Sequence, residues 1–190
     1  MKKPLTSFLT IIIVIILILV LNINVTTRQG INYQWHTIKL PLYLKILDFF
    51  DRHYNYKQLV KVITRDAKTD QERVMKLFEW THNNIRKTPE GFPVIDDHVW
   101  SIIIRGYGAS DQSCDVLATL CNYADIKSFY LLVRAPEQKK TIPLTFVKLS
   151  MNWYVFDPYR GAYFKNPEDG LADIDFLKSN NSWIVETKGG

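Results

Sequence analysis

The chain has 190 residues, 47% of them hydrophobic and 23% charged, and a formal charge of +5. That is the length of one globular domain, and the composition excludes a disordered or low-complexity chain. Setting aside Lys2 and Lys3 leaves 22 basic against 19 acidic residues, too even a balance for a nucleic-acid-binding protein, and no cofactor motif is present.

Residues 5–21 carry no charge and consist mostly of Ile, Leu and Val. Seventeen residues of helix rise about 25 Å, the lower end of what spans a bilayer. No small-x-small cleavage site follows the apolar run, so residues 1–25 read as an uncleaved signal anchor rather than a removable leader. Lys2 and Lys3 ahead of it place the N-terminus in the cytoplasm and the rest outside, as a single-pass membrane protein.

Residues 26–68 read as a linker with accessory helices. From 26 to 40 there is no clear period. Leu42, Leu44, Ile46, Leu47, Phe49 and Phe50 predict an amphipathic helix over 42–54, with a second short one over 56–64. Tyr33, Trp35, Tyr43 and Tyr54 read either as core and surface aromatics or as a belt at a membrane interface.

Residues 69–190 form the folded domain. Thr69-Asp-Gln-Glu72 is a capping box, and Val74, Leu77, Phe78, Thr81 and Ile85 continue at helical spacing, which predicts a helix over 69–87. Pro89, Gly91 and Pro93 then break the chain. Gly106 and Gly108 form a turn into a second helix, with Ser110 as its N-cap, Asp111 at the positive end of its dipole, and Cys114, Leu117, Ala118 and Cys121 on one face. The two cysteines are seven residues and about 10 Å apart along that helix, too far to bridge, and they read as buried core thiols.

Strands are predicted over 128–134, 144–149 and 153–156, the last two joined by a turn at 150–152, with edge strands near 162–164 and 183–187 and a short helix near 174–178. An α+β domain follows, with the 110–124 helix packed on an antiparallel sheet, because helix and hairpin must bury their apolar faces on each other.

Three stretches carry a resemblance. They are Asp70, Glu72, Trp80 and Asn84-Ile85 on the first helix, the glycine turn leading to Ala118-Thr119-Leu120 and Asp125-Ile126, and Trp153-Tyr-Val-Phe-Asp157-Pro158. Over residues 69–164 they resemble the transglutaminase-like branch of the papain-like superfamily. In that family a cysteine opens the central helix, a histidine on the first hairpin strand moves protons, and an aspartate orients the imidazole. The resemblance puts Ser110, Leu144 and Asp157 at those three positions, which implies a degenerate triad and a pseudoenzyme binding a peptide, glycan or protein. The alternative is an atypical acyltransferase or peptidase that uses Cys114 as nucleophile and His98 or His82 as base.

Overall fold

A computed structural model describes residues 3–31, 34–92, 96–135, 140–179 and 185–186. The chain divides into two compact units, 1–54 and 55–190.

In the first unit, α1 (Lys3–Leu21) carries the apolar run. Its large apolar side chains from Phe8 to Val20 are exposed, apart from half-buried Ile12. Among the described residues no helix is long and apolar enough to cross a membrane. The stretch expected to be an aperiodic linker is instead a hairpin, β1 (Asn24–Ile31) and β2 (Gln34–Pro41), paired antiparallel from Asn24↔Pro41 to Ile31↔Gln34. A two-stranded ribbon that covers no core has no reason to alternate apolar and polar residues, which removes the period-two signal. Its β-branched residues, Val25, Thr26, Thr27, Ile31, Thr37 and Ile38, are the signal that remains. Tyr43 and Tyr54 are exposed; Tyr33 lies outside the described residues, as does the side chain of Trp35.

The two helices expected over 42–54 and 56–64 are one, α2 (Leu42–Ile63). Asn55 between them costs a helix only a fraction of a kcal/mol, and neither Gly nor Pro interrupts the run.

The second unit begins within α2, whose Tyr56 and Val60 are core residues. Tyr56 stacks on Tyr123 and meets Trp100 edge-on, with ring centroids 4.6 and 5.1 Å away. α3 (Asp70–Asn84) starts at the expected cap: Thr69 Oγ1 accepts from Glu72 N at 3.1 Å, while the Glu72 carboxylate reaches back to Lys68 N at 2.6 Å. Val74, Leu77, Phe78, Thr81 and Ile85 are buried, as their spacing requires.

β3 (Arg86–Lys87) follows, and a short helix not foreseen from the sequence, α4 (Val99–Arg105), ends at Gly106 with φ +69°. β4 (Tyr107–Gly108) pairs with β3 in parallel. Next come α5 (Ser110–Tyr123), β5 (Ser128–Ala135), β6 (Lys140–Leu149) and β7 (Asn152–Asp157). β8 (Ala162–Tyr163), α6 (Ile174–Ser179) and β9 (Val185–Glu186) complete the described chain.

Strands β5-β6-β7-β8-β9 make one antiparallel sheet in that order. Helix α5 lies on β5 and β6, and α3 packs on α5. From α3, Phe78 reaches the sheet at Phe156 and Tyr163, with ring centroids at 5.5 and 5.6 Å. The expected helix on an antiparallel sheet is present, edge strands and all.

Gly161 holds a tight turn after β7 at φ +68°, and a Cβ there would lie 2.7 Å from Cε1 and Nε2 of His82. Left-handed backbone and steric overlap add, so Gly161→Ala is expected to lower stability by about 1–3 kcal/mol. Urea unfolding of the two proteins at equal m-value measures the difference, and a loss below 0.5 kcal/mol would mean that the turn relaxes freely.

Candidate functional site

The ridge between α5 and the β6–β7 hairpin is where the sequence places its chemistry. Helix α5 begins one residue earlier than expected. Ala109 occupies the cap position and Ser110 is the first helical residue, half-buried. Gln112 sets that start, because its Oε1 accepts from Ala109 N at 3.0 Å, half of a capping box formed from inside the helix. Gln112 is itself held from two sides, by Arg105 Nη2 at 3.0 Å and by its own Nε2 donating to Asp97 Oδ1 at 2.5 Å. Gly108 is required beside it, since a Cβ there would stand 3.0 Å from Gln112 Oε1 and 3.3 Å from Ile102 Cγ2.

One turn on, Cys114 is fully buried against the sheet. Thr145 Oγ1 of β6 donates to the Cys114 carbonyl at 3.0 Å, and the same hydroxyl is the thiol's hydrogen-bond partner. Burial pushes the thiol pKa up to about 12 against that hydrogen bond, and the negative charges of Asp157, Asp111 and Asp115 push in the same direction. Cys121, buried on the same helix face, is likewise raised to about 12 by burial, opposed by the Ser128 hydroxyl. Both thiols are free.

Along β6, Thr145, Val147 and Leu149 are buried towards α5 and alternate with Leu144, Phe146 and Lys148 on the other face. Thr145, not Leu144, therefore meets the helix at Cys114. Leu144 pairs with Leu131 of β5. The β6–β7 register ends at Thr145↔Phe156, one residue short of Leu144. At the site, the contact of β6 with α5 therefore falls to Thr145, the neighbour of the Leu144 that the resemblance puts at the histidine position. A one-residue step along a strand exchanges faces, and the sequence alone gave no anchor for that step.

Asp157 is buried at the end of β7. Its Oδ1 accepts from Arg160 N at 3.0 Å and its Oδ2 from Arg160 Nη1 at 2.7 Å. The Arg160 side chain is more than half exposed, so this pair chiefly shapes the turn rather than adding much stability.

Both histidines are engaged elsewhere. His98 caps α4: its Nδ1 accepts from Trp100 N at 3.2 Å, and its own N–H donates to Asp96 Oδ1 at 2.8 Å. His82, on the last turn of α3, has Nδ1 2.8 Å from the Pro158 carbonyl, so that nitrogen carries the proton. The rest of its ring lies against Gly161. The ring that the sequence offers as a base is a wedge beneath the turn that follows Asp157.

Thr145 and Gln112 were not singled out from the sequence. A threonine at an inward strand position and a glutamine three residues after a cap are ordinary residues until the register is known. Asp115 was also passed over. Burial raises its pKa to about 6, the charge of Asp111 one turn earlier adds to the rise, and the Thr119 hydroxyl opposes it.

The sequence matches no protein-family model and no curated protein. Two solved structures are similar in shape. One, provisionally described as a cysteine protease from Cytophaga hutchinsonii, is 16% identical over 64% of this chain and 41% of that one, with a TM-score of 0.48. The other, provisionally described as a protease from Parabacteroides distasonis, is 15% identical over 70% of this chain and 35% of that one, with a TM-score of 0.45. The chain spans less than half the length of either, and likeness at this level carries no statement about chemistry.

The buried thiols give a pH dependence. Their folded pKa values lie above the unfolded value of about 9, so the stability they contribute is whole below pH 9 and is lost as pH rises toward 12. The melting temperature is expected to fall between pH 9 and 11 more steeply in the wild type than in a Cys114→Ala/Cys121→Ala variant. Parallel curves would mean that the thiols ionise as freely as in the unfolded chain.

Proposed function

We propose that this chain is a membrane-tethered domain of transglutaminase-like type that binds a ligand, whether peptide, glycan or protein, without acyl-transfer chemistry. The order of helix, antiparallel hairpin and Asp157-Pro158 supports the fold part of that reading. The observation that carries the rest is the Cys114 thiol, fully buried, hydrogen-bonded to a threonine and held protonated, while His82 and His98 are committed to a turn and a helix cap. A nucleophile needs a base within hydrogen-bond reach, and the bonded ring nitrogens of His82 and His98 serve the Pro158 carbonyl and Trp100 N rather than Cys114 or Ser110.

Ser110→Cys alone should then yield an unreactive thiol, because nothing accepts its proton. Ser110→Cys with Leu144→His should behave like the single variant, because Leu144 lies on the face of β6 turned away from α5. The measurement is alkylation rate against pH for the wild-type, single and double variants, all carrying Cys114→Ala and Cys121→Ala. An ordinary thiol profile, with no reaction at low pH, is expected in both the single and the double variant. The reading is overturned if native Cys114 alkylates rapidly near pH 7 and its loss abolishes an amidase or acyl-transfer activity.

The tether rests on α1, whose large apolar side chains from Phe8 to Val20 are exposed apart from half-buried Ile12. A helix apolar all round is stable only where its surroundings are apolar. The full chain should stay with the membrane fraction through high salt and alkaline carbonate, and leave it in detergent. Release by carbonate would reduce the segment to a peripheral contact.

A further inference from the structure

The first half of α2 carries an apolar stripe that the fold leaves in the open. Tyr43, Ile46, Leu47, Phe50 and Tyr54 recur at helical spacing, so that at 100° per residue they fall within about 100° of the helix circumference. All five are between 37% and 62% exposed. Lys45, Asp48 and Arg52 stand on the opposite side of the same turns. Past Tyr54 the next positions on that side are Lys57 and Lys61, so the apolar stripe ends there, about 17 Å from where it began. A single exposed leucine needs no explanation, but five large side chains in one band form a surface shaped to be covered.

The backbone around the stripe indicates what covers it. The β1–β2 hairpin returns the chain to the end of α1, because Asn24 pairs with Pro41 and the Leu42 N–H donates to the Ile23 carbonyl at 2.9 Å. The first residue of α2 is therefore one hydrogen bond from a residue two positions past α1. Lys45, from the polar side of α2, adds a weaker tie to the Thr26 carbonyl of β1 at 3.5 Å. We propose that the first half of α2 lies in the plane of the bilayer surface where α1 ends, its stripe turned into the boundary between headgroups and acyl chains. The inference rests on the reading of α1 as a membrane tether, since a hairpin closed in this way holds the start of α2 at the depth where α1 stops. The stripe has the composition that this depth favours. Ile46, Leu47 and Phe50 in its middle are wholly apolar, while Tyr43 and Tyr54 at its ends each join an apolar ring to a polar tip. Lys45, Asp48 and Arg52 then face water.

The test uses the full chain reconstituted into phosphatidylcholine vesicles, with a fluorophore attached through Leu47→Cys or Phe50→Cys in the stripe, or through Asp48→Cys opposite it. The parent chain, whose Cys114 and Cys121 are buried, is the labelling blank. A nitroxide carried by the lipid just below the headgroup should quench the labels at positions 47 and 50 at least about threefold more than the label at 48, and aqueous iodide should do the reverse. Carbonate washing of the same vesicles reads the tether separately. If the chain survives carbonate while its stripe labels meet iodide as freely as the label at 48, the inference is overturned and the tether stands. If carbonate removes the chain but the lipid nitroxide had quenched positions 47 and 50, the inference stands and the spanning anchor fails; removal without such quenching sinks both. Stripe labels shielded from both quenchers lie against protein, whether a second copy or another part of this chain, and that result also overturns the inference. Both stripe positions are exposed, so if one variant fails to reconstitute the other supplies the same readout.

Discussion

The seating of α5 on β5 and β6 is the constraint on which the second unit depends. Cys114, Leu117 and Cys121 on its inner face are without solvent contact, as are Thr145 and Val147 beneath it. Apolar burial of this kind contributes about 1.5–3 kcal/mol per large side chain but does not specify how a helix is rotated. Directed polar bonds supply the rotation. Thr145 Oγ1 donates to the Cys114 carbonyl, Ser128 Oγ donates to the Ala118 carbonyl at 2.6 Å, and the Asn122 side chain bonds both the N–H and the carbonyl of Ser128. Helix carbonyls that already serve the helix thus accept a second bond from the strands, at 114 and again at 118. A helix pinned twice on one face has one height and one rotation, which leaves Ser110 at its mouth and Cys114 a full turn inside.

The same economy runs through α3 and the loops. Phe78 ties α3 to the sheet, and His82, four residues on, supports the turn after Asp157 through the Pro158 carbonyl and the face of Gly161. Arg105 bridges the segment before α4 to the start of α5, bonding the carbonyls of Asp96 and Tyr107 as well as Gln112. Polar residues that in isolation look available for chemistry are, in the fold, the means by which irregular backbone is satisfied.

Much of the fold was legible because it depends on periodicity. The capping box at Thr69, the inward face of α3, the inward face of α5 and the three central strands each carry a pattern with one structural solution. What was not legible depends on partners far along the chain. The β1–β2 hairpin lacks a core to impose alternation, and α4 is started by a histidine cap and an aspartate, Asp96, which the chain uses at both carboxylate oxygens. The single helix α2 was read as two because its apolar stripe weakens near Asn55. At the site, Ser110, Cys114 and Asp157 could be placed on their elements from sequence, but whether Leu144 or Thr145 faces the helix turns on a strand register that only the β6–β7 pairing supplies.

That difference bears on the proposal that this corner carries no chemistry. A working cysteine site holds a desolvated thiolate and an imidazole, groups that cost the folded state stability and are kept only for turnover. In this chain each nearby group contributes to folding instead. The Cys114 thiol fills the core beneath α5, Thr145 pins the helix, His82 props a turn and Asp157 closes it through Arg160. Ionising Cys114 in place would put a charge among Asp111, Asp115 and Asp157, with burial and repulsion acting together against it. Position 110 differs in kind. It lies on the first turn of the helix, half-buried, where the dipole favours negative charge and no core packing would be given up. The cost of holding a negative charge is therefore lower at the mouth of α5, where Ser110 stands, than one turn inside at Cys114.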